Sequence, residues 1–268
     1  MIAAPPLLTP DWPAPPNVRA LLTLRGGGVA DGASAAPRQF FNLGDHVGDA
    51  PAAVAANRAR LQSFMGARPV FMNQVHGTQV VQLTPGLTDG TNADAAVAAN
   101  PQLACTVLVA DCLPVLLTDA AGRAVAAAHA GWRGLAGGVL EQTLARLRPL
   151  AAQAHAAIKN EATDILAWLG PCIGAQAFEV GAEVRAAFLA ADAGAAACFQ
   201  PLGGGKFLAD LPALARRRLA AQGVTRVYGN DGGADWCTVT RRERFFSYRR
   251  DQATLGGSGR MAACIWRV

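Results

Sequence analysis

Lysine is almost missing from this chain of 268 residues, which holds only Lys159 and Lys206 against 22 arginines. The net charge of +5 therefore reflects arginine bias. No basic stripe interleaved with aromatic residues accompanies it, which argues against nucleic acid as a partner. Long uncharged apolar runs are also lacking, so no segment predicts a membrane span. Residues 1–20 are rich in proline and lack the charged start and apolar centre of a secretory signal.

Cysteine is sparse, and the common catalytic signatures are absent. The six cysteines follow no disulfide-framework spacing, which indicates reduced thiols and a cytoplasmic protein. The sequence has no HExxH, CxxC or Walker loop and no GxGxxG after a predicted strand, and GGSGR at Gly256–Arg260 does not match GxSxG. These absences argue against the common zinc metalloproteases, P-loop enzymes, Rossmann dehydrogenases and α/β-hydrolases.

What is present is a large apolar fraction arranged mainly as strands. Hydrophobic residues make up 51% of the chain, but 58 of them are alanine. The larger apolar side chains still suffice to build one globular domain. Strands outnumber helices and do not alternate with them strictly, which favours an α+β fold. Apolar runs predict strands at Leu21–Arg25, Val70–Gln74, Gln79–Leu83, Leu103–Val109, Val115–Thr118, Arg123–Ala128, Ile165–Leu169 and Met261–Val268, and helical spacing predicts helices over Leu135–Leu147 (ended by Pro149), Glu179–Ala190 and Leu211–Gln222.

Three dense segments each place a metal-binding side chain just beyond a predicted strand. If those strands are neighbours, their ends bring the three side chains to one rim. Two imidazoles and one thiolate would hold a tetrahedral zinc ion with a fourth position open, as in catalytic sites. The spacing of 36 and then 17 residues is not specific by itself. The segments are NQVHG with His76, ADCLP with Cys112, and AHAGWRG with His129.

Two further residues of these segments are candidates to act on a substrate. GWRG predicts the start of a helix, whose N-terminal amides together with Arg133 would suit a phosphate oxygen. Asp111 is the carboxylate nearest to the thiol in sequence and is a candidate to contact the substrate. The alternative for Asp111 is that it caps the turn before Pro114.

Longer stretches carry a resemblance to a known family. Together with the three segments, and in this order along the chain, they resemble the YfiH family, which is also called the laccase-domain or multicopper polyphenol oxidase family. The resemblance runs from about Leu21 to the C-terminus. The stretches are FNLGDHVGD (Phe41–Asp49) followed by NRARL, LGPCIG (Leu169–Gly174) with FEVGAEV, and CTVTRRERFFSYRRD (Cys237–Asp251) followed by GR.

That resemblance implies a fold and an activity. The fold would be a single α+β catalytic domain over residues 21–268, a four-layer sandwich of mixed sheets flanked by helices, with the Pro-rich residues 1–20 outside it. The metal would be zinc, with copper as the alternative, held by the catalytic residues His76, Cys112 and His129. The activity would be zinc-dependent phosphorolysis of the purine nucleosides adenosine, inosine and methylthioadenosine, together with adenosine deamination.

The resemblance also suggests substrate contacts. Arg25, Asn42 and His46 would line the nucleoside site. The segment 28–40 departs from the Ser- and Tyr-containing loop usual in the family, so the resemblance assigns no base or sugar contacts to that loop. Purine nucleoside and phosphate are the expected partners, with no nucleic acid, membrane or obligate protein partner.

Three other functions remain open at this stage. Cys112 as nucleophile with His129 as base would give a cysteine hydrolase or amidase acting on peptidoglycan precursors, but a metal-bound thiolate is a poorer nucleophile. Copper-dependent phenol oxidation is less favoured, because one His–Cys–His group falls far short of a multicopper ligand set. The third is a binding protein in which zinc only stabilises the fold.

Overall fold

The computed structural model describes residues 5–26, 40–153 and 164–268, and strands dominate this part of the chain. His155, Lys159 and all of segment 28–40 except Phe40 lie outside it. The strands are β1 (Leu7–Leu8), β2 (Val18–Thr23), β3 (Arg68–Phe71), β4 (Val80–Gln82), β5 (Ala95–Ala98), β6 (Leu103–Val109), β7 (Leu113–Asp119), β8 (Val125–Ala130), β9 (Ile165–Leu169), β10 (Glu179–Gly181), β11 (Phe199–Gly203), β12 (Lys206–Ala209), β13 (Arg226–Gly229) and β14 (Met261–Arg267). The α-helices are α1 (Pro51–Met65), α2 (Trp132–Gly137), α3 (Val139–Gln153), α4 (Ala182–Leu189), α5 (Leu211–Ala221) and α6 (Tyr248–Leu255).

Two mixed sheets form the centre of the molecule. One has five strands in the order β1-β2-β14-β6-β3, and the other has six in the order β13-β9-β7-β8-β5-β4. Helix α1 packs on the outer face of the first sheet through Leu61 and Met65. Helices α3, α4 and α5 cover the outer face of the second, together with the small sheet β10-β12-β11. The α+β fold in layers is confirmed.

The central strands read as unbroken apolar runs because both of their faces are buried. In β5, Ala95 and Val97 face the helices, whereas Ala96 and Ala98 face the five-stranded sheet. Side chains alternate across a strand, so two cores need apolar residues at every position. Much of the alanine in the composition fills these strands, as in the four alanines of β8.

Two predicted helices differ from the structure at their ends. Pro149 was expected to end the helix predicted over Leu135–Leu147, but α3 continues to Gln153. Leu150 and Ala151 are buried against the helix side of the sheet, and that packing outweighs the one backbone hydrogen bond that proline cannot donate. The helix predicted from Glu179 begins at Ala182 instead, because Glu179–Gly181 pairs as β10 with β12.

The first strands lie within and next to the Pro-rich N-terminal stretch. β1 pairs antiparallel with β2, and β2 pairs antiparallel with β14 at the other end of the chain. The predicted boundary at residue 20 falls inside β2. No helix in the described ranges is long and apolar enough to cross a membrane.

Candidate metal centre

The three candidate ligands come from strand ends of both central sheets. His76 follows β3 and Cys112 follows β6, and these two strands are parallel neighbours in the five-stranded sheet. His129 lies inside β8, beside the start of β7, in the six-stranded sheet. Only two of the three strands are therefore neighbours in one sheet. Cys112 occupies the short connection from β6 to β7, which crosses between the stacked sheets and brings their edges together.

The ligand atoms converge. The candidate donor atoms of His76, Cys112 and His129 all lie within 4.8 Å of one another. Cys112 Sγ is 3.8 Å from His76 Nε2, and the two imidazole centroids are 4.8 Å apart at an interplanar angle of 73°. His129 is buried, Cys112 is partly exposed and His76 is exposed. A ligand can therefore approach the group from the His76 side.

Asp94 contacts the side chain of His129 and the backbone around His76, and it was not among the residues predicted from the sequence. Its buried carboxylate lies 2.8 Å from His129 Nδ1. It also accepts backbone N–H groups from Val75, His76 and Gly77, at 3.2, 2.9 and 2.7 Å. A proton on Nδ1 donated to Asp94 leaves His129 Nε2 free for a metal. An acidic residue directly before a fully apolar strand, as in NADAAVA, is the sequence signal that could have revealed it.

The backbone around the ligands is unusual at two residues, and a third position must be glycine. His76 has φ of +58° and Asp111 has φ of +92°, a region that non-glycine residues rarely adopt. The Asp94 carboxylate binds the amides around His76 and so stabilises that turn. Gly131 is needed for space: a Cβ there would lie 2.8 Å from His76 Cδ2 and 3.0 Å from Cys112 Sγ.

Cys112 and His129 form a coupled acid–base pair. Burial by itself raises the pKa of Cys112, but His129 and His76 beside it stabilise the thiolate and lower the pKa to about 6. Burial likewise lowers the pKa of His129, but the Cys112 thiolate and the Asp94 carboxylate raise it to about 9. The pair therefore favours a thiolate beside a protonated His129. The thiolate is the form of cysteine that binds metals, and metal binding would displace the His129 proton on Nε2.

The donor set fits a zinc ion. Two imidazole nitrogens and one thiolate sulfur are ligands that zinc prefers, and three protein ligands with an open fourth position are typical of catalytic zinc. The Asp94–His129 contact is the carboxylate–histidine pairing that commonly supports such ligands. The remaining described histidine, His46, pairs with Asp45 at 3.4 Å and is not part of the group.

A cavity of about 680 Å³ opens over these ligands. Its lining includes all three of them and three of the five predicted substrate contacts: His46, Asp111 and Arg133. Its volume is typical of small-molecule sites. Burial, then nearby Arg260, lowers the pKa of His46. Helix α2 begins at Trp132 as predicted, and the exposed Arg133 lies over the Trp132 ring at 4.4 Å.

Asp111 has a structural partner set of its own. Its carboxylate accepts from Thr238 Oγ1 at 2.5 Å and from the backbone N–H of Arg249 at 2.6 Å. It thereby ties the residue before Cys112 to the N-terminus of α6. The same carboxylate lines the cavity, so it remains a candidate for substrate contact.

The other two predicted contacts, Arg25 and Asn42, are not among the residues that line this cavity. Arg25 donates to the carbonyl of Arg242 at 3.2 Å and lies over the Phe40 ring at 4.6 Å. Asn42 is fully buried, and its side chain bonds Gly44, Asp49 and Arg260. Direct substrate binding by these two residues stays a prediction.

Taken together, a mixed layered α+β fold and a His–Cys–His group at the floor of a cavity define the class: a protein with a candidate transition-metal centre built for a small molecule. The comparisons agree. The family model for multi-copper polyphenol oxidoreductase laccase matches residues 19–268. The chain belongs to this laccase-domain family, whose members include proteins named YfiH.

Relatives along the whole length carry one functional name. A purine nucleoside phosphorylase of Pseudomonas aeruginosa is 49% identical over 97% of both chains. Purine nucleoside phosphorylase YfiH of Escherichia coli K12 is 47% identical over 98% of this chain and 99% of its own. A crystal structure of a Neisseria meningitidis protein superposes with a TM-score of 0.84 at 49% identity, covering 97% of this chain and 98% of its own. These names support an enzyme of that general kind.

Proposed function

We propose that this protein is a zinc-dependent purine nucleoside phosphorylase, acting on adenosine, inosine and methylthioadenosine, with adenosine deamination as a second activity. The observation that carries the proposal is the position of the His76, Cys112 and His129 group on the lining of a cavity of about 680 Å³. Relatives named purine nucleoside phosphorylase, 47–49% identical, support the same reaction class.

The cavity lining suits both substrates. Trp132 and Tyr248 present aromatic surface, against which a purine ring can stack. Arg133, Arg249 and Arg260 add positive charge to the lining, and phosphate is an anion. In phosphorolysis a phosphate oxygen bonds to the ribose C1′ while the bond from C1′ to the purine nitrogen breaks, so both substrates must share one cavity.

This chain's own residues perform the positioning. Asp94 keeps the proton of His129 on Nδ1 and so orients Nε2 toward the ligand group. His46 lies where the nucleoside would enter, and Arg133 offsets the negative charge of phosphate. When bound to His76, Cys112 and His129, zinc would supply a Lewis acid that polarises a nearby oxygen.

The test is phosphate-dependent release of base from inosine and adenosine, measured with metal analysis of the same sample. We expect stoichiometric zinc in the purified protein. Free hypoxanthine or adenine should form only when phosphate is present. Ammonia release from adenosine tests the deaminase activity separately. Full phosphorolysis and full zinc content in His129→Ala would refute the site assignment.

A second candidate uses the same side chains as a cysteine hydrolase or amidase. It is favoured by the position of Cys112 beside His129, which helps to lower the thiol pKa to about 6, and by the 2.8 Å contact of His129 Nδ1 with Asp94. This arrangement resembles a nucleophile, a base and an orienting acid. Zinc-free protein that is rapidly inactivated by iodoacetamide and cleaves peptidoglycan precursors would support this candidate. Stoichiometric zinc would oppose it.

A further inference from the structure

Arg260 is a cation of the cavity lining that forms no salt bridge with a described carboxylate. Its side chain is partly buried, and desolvation lowers its pKa. Nη1 donates to the carbonyls of Ser258 and Gly259 at 2.9 and 3.2 Å. Within the described ranges, Nε and Nη2 have no hydrogen-bond partner and no carboxylate reaches ion-pair distance. A guanidinium removed from water normally has an anionic partner.

The acids of the cavity lining already have other partners. Asp45 pairs with Arg58 at 3.1 Å, and Asp111 accepts from Thr238 and Arg249. Asp89 accepts the backbone N–H of Phe71 at 3.1 Å. These carboxylates therefore have other partners, and an anionic ligand in the cavity would give Arg260 a direct counter-charge.

Residues 42–44 fix the position of the Arg260 backbone. Asn42 Oδ1 accepts the backbone N–H of Arg260 at 2.8 Å, and the N–H of Leu43 donates to the Arg260 carbonyl at 3.1 Å. Gly44 leaves room for the side chain, because a Cβ there would lie 2.7 Å from Arg260 Cγ. We call Asn42, Leu43 and Gly44 the Arg260 cradle. A preorganised arginine binds an oxyanion with less loss of side-chain entropy.

Two other arginines that line the cavity are poorer candidates. Arg133, Arg249 and Arg260 each lie over an aromatic ring, at 4.4, 5.7 and 5.9 Å, but Arg133 and Arg249 are exposed whereas Arg260 is partly buried. Water screens exposed charges, whereas a desolvated charge attracts an anion more strongly. Arg260 is also close enough to Cys112 for their charges to interact, so an anion on Arg260 would lie near the metal ligands.

We propose that Arg260, set by its cradle, is the principal binding residue for the phosphate co-substrate, as the inorganic phosphate anion. This inference rests on the proposed function for the role of phosphate, but phosphate binding itself can be measured without turnover. The fork of Nε and Nη2 would donate two hydrogen bonds to two phosphate oxygens. Asn42 would then act on the substrate through Arg260 rather than by touching it.

The direct test is calorimetric titration of inorganic phosphate into the zinc-loaded protein, with and without inosine. We expect Arg260→Gln to weaken phosphate binding by roughly 30-fold, the effect of losing a charged hydrogen-bonded pair. Arg260→Lys should fall between the two, because it keeps the charge and loses the fork. The matched control is Arg242→Gln, an exposed arginine of the same C-terminal segment, which should bind phosphate like the wild type.

Kinetics separate this role from a structural one. Arg260→Gln should raise the KM for phosphate by about the same factor and leave the KM for inosine and the zinc content within about twofold. If Arg260→Gln fails to fold, Arg260→Lys and Gly44→Ala test the same point. An unchanged phosphate affinity in these variants would overturn the inference, as would a wild type that binds no phosphate in either condition.

Two further outcomes distinguish the neighbouring hypotheses. If phosphate binds through Arg260 but no nucleoside is cleaved, the proposed function fails and the phosphate site stands. If adenosine 5′-monophosphate binds through Arg260 while inorganic phosphate does not, the bound phosphate belongs to a nucleotide and the inference as stated is wrong.

Discussion

The candidate ligand group (His76, Cys112 and His129) and the Arg260 cradle line or support one cavity. They differ in whether their polar groups already have partners within the protein. Asp94 already completes the ligand group from within the protein, through one imidazole and three backbone amides. Arg260 has a rigid backbone and no carboxylate partner in the described ranges. The difference suggests that the two regions bind different species. The first region is preorganised for a resident ion, and the second keeps charge available for a substrate that comes and goes.

The largest expected effect comes from removing the thiolate. Cys112→Ser should abolish stoichiometric zinc binding and reduce turnover by at least about a thousandfold, because a hydroxyl is a far poorer zinc ligand at neutral pH. Metal analysis and phosphorolysis on the same samples measure both. Phosphate binding to Arg260 should change much less, which separates the two regions.

Cys105→Ala is the matched control for that substitution. Cys105 lies seven residues earlier, fully buried in the core between the sheets, and takes no part in the ligand group. The Cys105→Ala protein should keep its zinc and lose only a little stability. If Cys112→Ser kept its zinc as well, the ligand assignment would be wrong.

The next effect concerns the reactivity of the same thiol without metal. The pKa of Cys112, lowered to about 6, leaves the thiolate present above pH 6 and lost as pH falls below it. At pH 7 its thiolate fraction should exceed that of an ordinary cysteine roughly 30-fold. Iodoacetamide rates on metal-stripped protein, followed from pH 5 to 9, would show the midpoint.

Two internal thiols serve as references in that experiment. Burial raises the pKa of Cys264 to about 12 and raises that of Cys105 still further, so neither should react while the fold is intact. Added zinc should protect Cys112. A midpoint near pH 9 would show that the histidines do not stabilise the thiolate.

Asp94→Asn should weaken zinc binding by about 10- to 100-fold, as loss of a supporting carboxylate commonly does. An amide at this site replaces one acceptor with a donor, and it would face the Nδ1–H of His129 or the amides around His76. Competition with a chelator gives the affinity, and the visible spectrum of the cobalt-substituted protein reports ligand geometry independently of turnover. Asp89→Asn is the control, because Asp89 lines the cavity and takes no part in the ligand group. Equal zinc affinity in both variants would exclude this role for Asp94.

The sequence predicted what depends on short-range pattern. β6 and β9 match the predicted bounds, and the three candidate ligands, which the structure brings together, were identified near predicted strand ends. The short strands β10, β11 and β12 were missed, since their pairing with one another rather than their composition defines them. Asp94 and Arg260 were missed for a related reason. Asp94 acts on a histidine 35 residues away, and Arg260 is held by an asparagine 218 residues away.

The smallest effect we predict uses one glycine from each region. Gly131→Ala would press on His76 and Cys112, and Gly44→Ala on the Arg260 stem. Each should cost several-fold rather than abolish function, since neighbouring side chains can shift by a few tenths of an ångström. Gly131→Ala should lower zinc affinity with the KM for phosphate unchanged, and Gly44→Ala should do the reverse.

Gly86→Ala sets the baseline for this pair, because a Cβ there meets nothing within 4 Å. Chelator competition and phosphate kinetics on the three variants then measure both properties side by side. If both cavity variants changed zinc affinity and phosphate KM together, the ligand group and the Arg260 cradle would be one mechanically coupled unit. Independent responses would mean that the ion and the phosphate are held by separate devices, joined only where the substrates meet.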